Sequence, residues 1–162
     1  MNKTFNGRLT ESRIHAIRDL WKGNLVVKGI VNPEDAELAL SVGIDELIVS
    51  NHGGRQLDQG QSSVKSTAAL AKECQGRTKI LMDGGIRSGS DIAVAVALAL
   101  ALALALASGA EFTFLGRAPM YGVCAMGSGG GDQVVEILQK QLQQVMEQLG
   151  CETLDQLPRH LA

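Results

Sequence analysis

The sequence predicts an α/β fold in which parallel strands alternate with helices, equivalent to roughly half of a TIM-type (β/α)8 barrel. Short apolar segments alternate with amphipathic helical segments along most of the 162 residues. Glycine-rich or charged motifs follow the apolar segments, where barrel enzymes carry their functional loops. Eight such units usually need about 250 residues, and about four strands can be recognised here. A second copy, a partner chain or a rearrangement must therefore cover the open sheet edges.

The elements can be assigned in order from spacing and from helix-end residues. Ile14, Ile17 and Leu20 recur with helical spacing, and Pro33 begins a second helix with acidic residues in its first turn. The predicted helices cover residues 11–22, 33–41, 63–74, a segment beginning near 90–91, and 134–149. The predicted strands cover residues 25–30, 46–50, 79–82 and 112–115. The tail from Cys151 carries no interpretable signal.

Composition limits the class of protein. The net charge of −2 gives no indication of nucleic-acid binding or of an anionic membrane surface. The 19 glycines and the low aromatic content of 3% fit an α/β protein with many tight turns. Cys74, Cys124 and Cys151 are widely spaced and contain no CxxC pair, so free thiols in a reducing cytosol are expected. The first five residues lack the apolar segment of a secretory signal, which favours a cytoplasmic location.

Residues 92–107 form an unbroken apolar run that consists largely of an Ala-Leu repeat. Both residue types are strong helix formers, so a helix is predicted. We interpret the run as a low-complexity insertion that lengthens one helix of a single half-barrel domain covering residues 1–162. A membrane span is the alternative, with the chain peripheral at the inner membrane. However, 16 helical residues reach about 24 Å, which is short of the ~30 Å hydrocarbon core.

Three motifs at predicted strand ends carry the functional signal. Residues 50–56, SNHGGRQ, follow an apolar run and place His52 three residues before Arg55. This spacing suits a general base beside a clamp for a carboxylate. Residues 83–87, DGGIR, and the pair Gly116-Arg117 also follow apolar runs and predict a phosphate site. Lys28 stands within an apolar strand, where an unpaired ammonium would be costly, which indicates a functional role.

These motifs, together with residues 27–30, VKGI, resemble those of the FMN-dependent L-2-hydroxy-acid dehydrogenases and oxidases. That family includes flavin-type lactate dehydrogenase, mandelate dehydrogenase and glycolate oxidase. The motifs occur in the family's order, and the resemblance runs from about residue 5 to residue 150. It matches the C-terminal half of the family's barrel, which implies FMN as cofactor and a small 2-hydroxy acid as substrate.

The resemblance also implies roles for individual residues. His52 matches the active-site base, which takes a proton from the substrate while the electrons pass to the flavin. Arg55 matches the arginine that holds the substrate carboxylate, and Lys28 matches the lysine beside the flavin atoms that gain negative charge on reduction. The positions implied to bind the cofactor are Lys28, Ser50, Asp83, Gly84, Gly85, Arg87, Gly116 and Arg117. No metal site is expected.

Several parts of the family's site have no counterpart in this sequence. The first half of the family's barrel supplies substrate-binding tyrosines, much of the flavin pocket and the aspartate that orients the base. A complementary half-barrel chain or a homo-oligomer would have to supply them, and the alternative is a catalytically silent chain that binds flavin or phosphate weakly. His15, His160, Arg8, Arg13 and Arg18 are interpreted as structural or solvated residues.

Overall fold

The computed structural model describes residues 9–74, 77–106 and 112–161. Four parallel strands form one sheet in the order β1-β2-β3-β4. The strands are β1 (Val26–Ile30), β2 (Glu46–Val49), β3 (Lys79–Asp83) and β4 (Thr113–Phe114). The helices are α1 (Glu11–Leu20), α2 (Pro33–Ser41), α3 (Ser63–Cys74), α4 (Gly89–Leu106), α5 (Arg117–Met126), α6 (Gly130–Leu149) and α7 (Pro158–Leu161). The predicted α/β class and the four parallel strands are confirmed.

The predicted elements differ from the observed ones mainly in the C-terminal third. The sequence predicted no helix over α5, and α6 begins at Gly130 rather than at Val134. Strand β4 is only two residues long and pairs with β3 through Met82 and Asp83. The tail after Cys151 forms a 3-10 turn and α7. Strand β4 lies within the predicted strand over 112–115, whereas α5, the start of α6 and the elements of the tail were missed because glycines interrupt their helical periodicity or because they are very short.

The main core lies between the sheet and the first three helices. Leu47, Val49 and Leu70 are completely buried there, in contact with alanines of α2 and with Ile14 of α1. Residues alternate between the two faces of a strand, so Ile48 and Lys28 project to the opposite face, where Ile48 is only half-buried and Lys28 is exposed. The sheet therefore has one well-covered face and one face that is largely open.

A second core joins α4 to the C-terminal tail. Ala93 and Ala97 of α4 pack against Cys151 and Leu157, and Leu157 is completely buried. Half-buried apolar residues of α6 complete this cluster. Helix α5, in contrast, contains no buried residue. The tail is thus part of the packed structure, and α5 is an exposed element at one end of the sheet.

Arg18 corrects one sequence-based interpretation. Its guanidinium donates hydrogen bonds to the carbonyl oxygens of Trp21, Gly23 and Gly43 and forms an ion pair of 2.8 Å with Asp45. Only 20% of its side chain is exposed, because α1 ends beside the loops that flank β1 and β2. Arg18 is therefore a structural link and not a solvated charge. Arg8 lies outside the described residues.

The Ala-Leu repeat continues α4 without a break as far as Leu106, and Ala107 lies outside the described residues. The predicted helix is therefore confirmed over the described part of the repeat. Its origin as an insertion remains a prediction. Within residues 9–74, 77–106 and 112–161, no helix is both long and apolar enough to cross a bilayer. The signal-peptide prediction concerns residues 1–5, which are also outside the described part.

Candidate functional site

The carboxyl ends of three neighbouring strands bring Lys28, Ser50 and Asp83 together. The Lys28 Nζ atom donates a hydrogen bond of 2.9 Å to Ser50 Oγ and forms an ion pair of 2.9 Å with Asp83 Oδ2. Parallel strands end at the same edge of a sheet, so residues that are far apart in sequence meet there. The Lys28 ammonium is therefore paired, which removes the cost expected for an unpaired charge within an apolar strand.

The loop after β2 holds His52 in an uncommon backbone conformation. His52 begins a short 3-10 helix and has a positive φ of 55°, which few residues other than glycine adopt. Its backbone N–H donates to the buried Ser50 Oγ at 3.1 Å. The Asn51 side chain accepts from the Gly53 N–H at 2.9 Å and thereby caps the turn. This geometry projects the imidazole away from the core, and His52 is exposed.

Helix α5 begins at the same edge. Arg117 is its first residue, and Gly116 precedes it without a capping side chain. The first turn contains no acidic residue, so the free N–H groups and the helix dipole favour an anion there. The Arg117 guanidinium reaches the histidine loop, since a Cβ placed on Gly53 would lie 2.9 Å from one of its terminal nitrogens. Arg117, one of the predicted phosphate-binding residues, therefore approaches the loop that carries the predicted base.

One open cavity of about 300 Å³ joins most of the residues that the sequence singled out. Its lining includes Lys28, His52, Arg55, Asp83, Gly84, Gly85, Gly116 and Arg117. Ser50 is connected to the cavity through Lys28, from which its hydroxyl oxygen accepts a hydrogen bond. A second cavity, of about 390 Å³, shares five lining residues with the first: Gly53, Gly84, Gly85, Ile86 and Arg117. The two together offer the volume of an ordinary cofactor site.

Arg87 is placed differently from the other predicted residues. Its side chain is exposed and lines a separate groove with Ala118, Tyr121 and residues of α6. Its backbone N–H donates to Asp91 Oδ2 at 2.9 Å, as does the N–H of Ser88. Arg87 thus contributes to the N-terminal cap of α4, and its side chain does not line the cavity of about 300 Å³.

Sequence reasoning missed Asp91 and several polar residues that line the larger cavity. Burial raises the pKa of Asp91, but hydrogen bonds from the backbone N–H of Arg87 and from Ser88 outweigh this and hold it below its usual range. The other missed lining residues are Asp58, Ser62 and Ser63. Ser63 is the first residue of the helix predicted over residues 63–74, which is the signal that could have identified it. In the structure its hydroxyl group is hydrogen-bonded to Asn51, the residue before His52.

The site has features that fit a polyhydroxylated phosphate ester such as FMN. Asp83 Oδ1 is buried and accepts no hydrogen bond from any residue in the described parts of the chain, so it can accept one from a ligand hydroxyl. A Cβ on Gly85 or Gly116 would meet nothing within 4 Å, which leaves their backbone open to a ligand. Arg117 and the start of α5 supply positive charge for a phosphate.

Comparison with known proteins agrees with these features. The sequence model of the FMN-dependent dehydrogenase family matches residues 1–162. An L-lactate dehydrogenase of Caulobacter sp. strain K31 is 41% identical over 145 residues, which are 90% of this chain and 36% of that protein. An L-lactate dehydrogenase of Alcaligenes faecalis is 36% identical over 161 residues, which are 99% of this chain and 40% of that protein.

Solved structures give the same result for the fold. A soluble mutant of the membrane-associated (S)-mandelate dehydrogenase from Pseudomonas putida matches with a TM-score of 0.83 and 36% identity. The match covers 97% of this chain and 42% of that one. The predicted partial TIM barrel is thereby confirmed. The chain spans about two fifths of the length of the relatives that it matches.

Proposed function

Because the chain belongs to the FMN-dependent dehydrogenase family, we propose that its cavity forms part of a site that oxidises an L-2-hydroxy acid to the 2-oxo acid. One observation carries the proposal: a single cavity is lined by eight of the ten residues that the sequence assigned to this chemistry. Lactate and mandelate are the substrate types, because the relatives are L-lactate dehydrogenases and an (S)-mandelate dehydrogenase. A cytoplasmic location remains a prediction from the sequence.

The cofactor-binding residues have distinct tasks in this proposal. FMN, when bound, supplies the acceptor for the two electrons of the oxidation. Lys28 places a positive charge at the edge of the sheet where the strands end. There it stabilises a bound ligand that gains negative charge. The free Oδ1 of Asp83 accepts a hydrogen bond from a ribityl hydroxyl, and Arg117 with the start of α5 holds the phosphate.

The substrate residues lie on the histidine loop. His52 and Arg55 are both exposed, and neither side chain has a hydrogen bond or an ion pair with another residue in the described ranges. His52 is the proposed base that takes a proton from the substrate. Arg55 is the proposed clamp, since its planar guanidinium can bind both oxygens of a carboxylate. Among the described residues, no carboxylate forms an ion pair with His52 that would stabilise its charged form.

The proposal includes a partner, because the described sheet has two free edges, at β1 and at β4. A complementary half-barrel or a second copy of the chain could cover them and could add the remaining wall of the cavity. The competing hypothesis is a chain without turnover that binds flavin or phosphate weakly. The absence of an ion pair between His52 and a carboxylate among the described residues is the observation that favours this alternative.

An anaerobic titration separates the two hypotheses. The purified chain is mixed with FMN, L-lactate or L-mandelate is added, and the absorbance of the oxidised flavin is followed. Bleaching would support the enzyme, and the D-enantiomers serve as controls because they should bleach nothing. FMN that is bound but not reduced would support the silent chain. If FMN does not co-elute with the chain in gel filtration, the proposed cofactor site is wrong.

A further inference from the structure

The strand that carries Lys28 contains an irregularity directly beneath the histidine loop. In the pairing of β1 with β2, Lys28 lies opposite Ile48 and Ile30 lies opposite Val49. Gly29 is therefore an extra residue without a partner, as in a β-bulge, and its φ is +100°. Bulges bend a strand and redirect its side chains, and they are frequent beside functional sites. The pairing of β1 with β2 does not by itself account for an extra residue at this position.

The bulge brings the Gly29 backbone against the His52 ring. A Cβ on Gly29 would lie 2.9 Å from Nε2 of His52, and 3.8 and 3.9 Å from the two ring carbons that flank this nitrogen. The nearest atom is thus the ring nitrogen farthest from the backbone, which is the atom that a projecting imidazole offers for proton transfer. A separation of 2.9 Å is shorter than real Cβ contacts, so only glycine leaves room for this ring position.

Both residues have positive φ values, which are unfavourable for His52 and freely accessible to Gly29. His52 itself has a φ of +55°, and its backbone is held by Ser50 Oγ, which also binds Lys28. Positive φ values at functional sites persist when the surrounding structure enforces them. The loop backbone fixes the point at which the His52 side chain is attached. Gly29, which has no side chain, limits the position of the Nε2 atom at the far end of the ring.

We propose that Gly29 is a positioning residue for His52: the bulge and the missing side chain create the space in which Nε2 is presented to the cavity. The proposal deepens the proposed function, on which it rests for the role of His52 as base. A methyl group at position 29 would push the ring away or cover Nε2. The three atoms nearest to this methyl group all belong to the His52 ring, so its steric effect falls on His52, while the strain of a positive φ at an alanine needs a separate control.

The test compares Gly29→Ala with Gly43→Ala. Gly43 has a similar φ of +81° and lies in the turn before β2, where its Cβ would meet only the aliphatic part of Arg18, at 3.5 Å. The control therefore also places an alanine at a positive φ, without touching His52. The readout is the set of nitrogen and ring-proton resonances of the imidazoles, assigned with His52→Ala, in the full chain without flavin.

We expect Gly29→Ala to shift the ring resonances of His52 while those of His15 and His160 stay unchanged. Gly43→Ala should shift none of the three. Unchanged His52 resonances in Gly29→Ala would overturn the proposal. This outcome is independent of the proposed function, because the measurement needs neither flavin nor turnover. If the flavin-loaded protein is active, a ring displaced by about 1 Å should lower kcat about a hundredfold and leave FMN affinity unchanged.

A second measurement covers the case in which Gly29→Ala folds poorly. The shift in melting temperature caused by Gly29→Ala is measured with His52 present and in the His52→Ala background. If the methyl group collides with the ring, the loss of stability must be smaller once the ring is absent. Equal losses in the two backgrounds would show that only the backbone of Gly29 matters and would overturn the proposal.

Discussion

At the residue scale, the site depends on a few close approaches between polar side chains and glycine backbone. Arg117 lies against Gly53, and His52 lies against Gly29, at positions where a Cβ would come within 2.9 Å of the side chain. Both glycines have positive φ values, so the backbone conformation and the close contact require the same residue type. We expect substitutions of cavity residues to fall into two groups: those that weaken FMN binding and those that slow proton transfer from the substrate.

Arg117 and Arg87 can be distinguished by their effect on FMN affinity. We expect Arg117→Ala to weaken FMN binding by at least about tenfold, because a charge-assisted hydrogen bond to phosphate contributes about 1.5–3 kcal/mol. Arg87→Ala should have a smaller effect, since its side chain lines a different groove. Flavin fluorescence quenching measures both affinities. An equal loss in the two variants would place Arg87 in the cofactor site, as its sequence motif predicts.

His52→Ala should separate binding from chemistry. We expect FMN affinity to stay within about twofold, because no residue of the proposed phosphate-binding group depends on the imidazole, and reduction of the flavin by substrate to fall about 10²–10⁴-fold, as is usual when a general base is lost. Stopped-flow absorbance in the anaerobic assay measures the rate. Turnover that survives in the variant would show that another group takes the proton.

At the scale of elements, two connections hold the helices on the sheet. Arg18 joins the end of α1 to the loops before β1 and β2, and Leu157 fixes the tail onto α4. Neither link is visible from helical periodicity, because each joins residues that are 25 or more positions apart in the sequence. Both links can be tested by their contributions to stability.

The link through Asp45 should depend on pH. A hydrogen bond from the Leu25 N–H, together with the Arg18 guanidinium, holds the pKa of Asp45 below its ordinary value of about 3.9. A carboxyl group with a lowered folded-state pKa stabilises the fold above the unfolded-state pKa, and this contribution is lost as pH falls through the folded-state pKa. Asp45→Asn should therefore lower the free energy of unfolding near neutral pH. The difference from wild type should shrink below about pH 4 in urea titrations.

The tail should be required for the stability of α4. We expect Leu157→Ala to lower the free energy of unfolding by about 2–5 kcal/mol, because Leu157 is completely buried against Ala93 and Ala97. Leu154→Ala in the same turn is the matched control, since Leu154 is 43% exposed and its loss should cost about 0.5 kcal/mol or less. Equal effects in chemical denaturation would contradict the packing described here.

At the scale of the whole molecule, the described sheet has free edges and one largely open face. Val26 on β1 and Phe112 beside β4 are exposed, as are Met120, Tyr121 and Met126 on α5. Several exposed apolar residues beside unpaired strand edges are typical of surfaces that associate with another chain. They agree with a chain that spans about two fifths of its relatives.

Charged substitutions at the two edges should reduce self-association. We expect wild type to form dimers or larger species whose fraction rises with concentration, and Val26→Lys combined with Phe112→Lys to shift the protein towards monomer, because a charge blocks edge-to-edge pairing. Leu38→Lys is the control, since Leu38 is also exposed but lies on α2. Light scattering after gel filtration gives the masses. A monomeric wild type at all concentrations would contradict the prediction.

The sequence by itself determined the fold class, the order of the strands and most of the candidate site. Apolar strands end in recognisable motifs, and parallel strands must end at one edge, so His52, Asp83 and Arg117 could be placed together from this pattern, and Lys28 was added by the resemblance to the family. Only the tertiary structure decided that Arg87 lines another groove and that Gly29 lies against His52. These contacts depend on a bulge and on a helix cap, which displace atoms by a few ångströms and leave no periodic signal in the sequence.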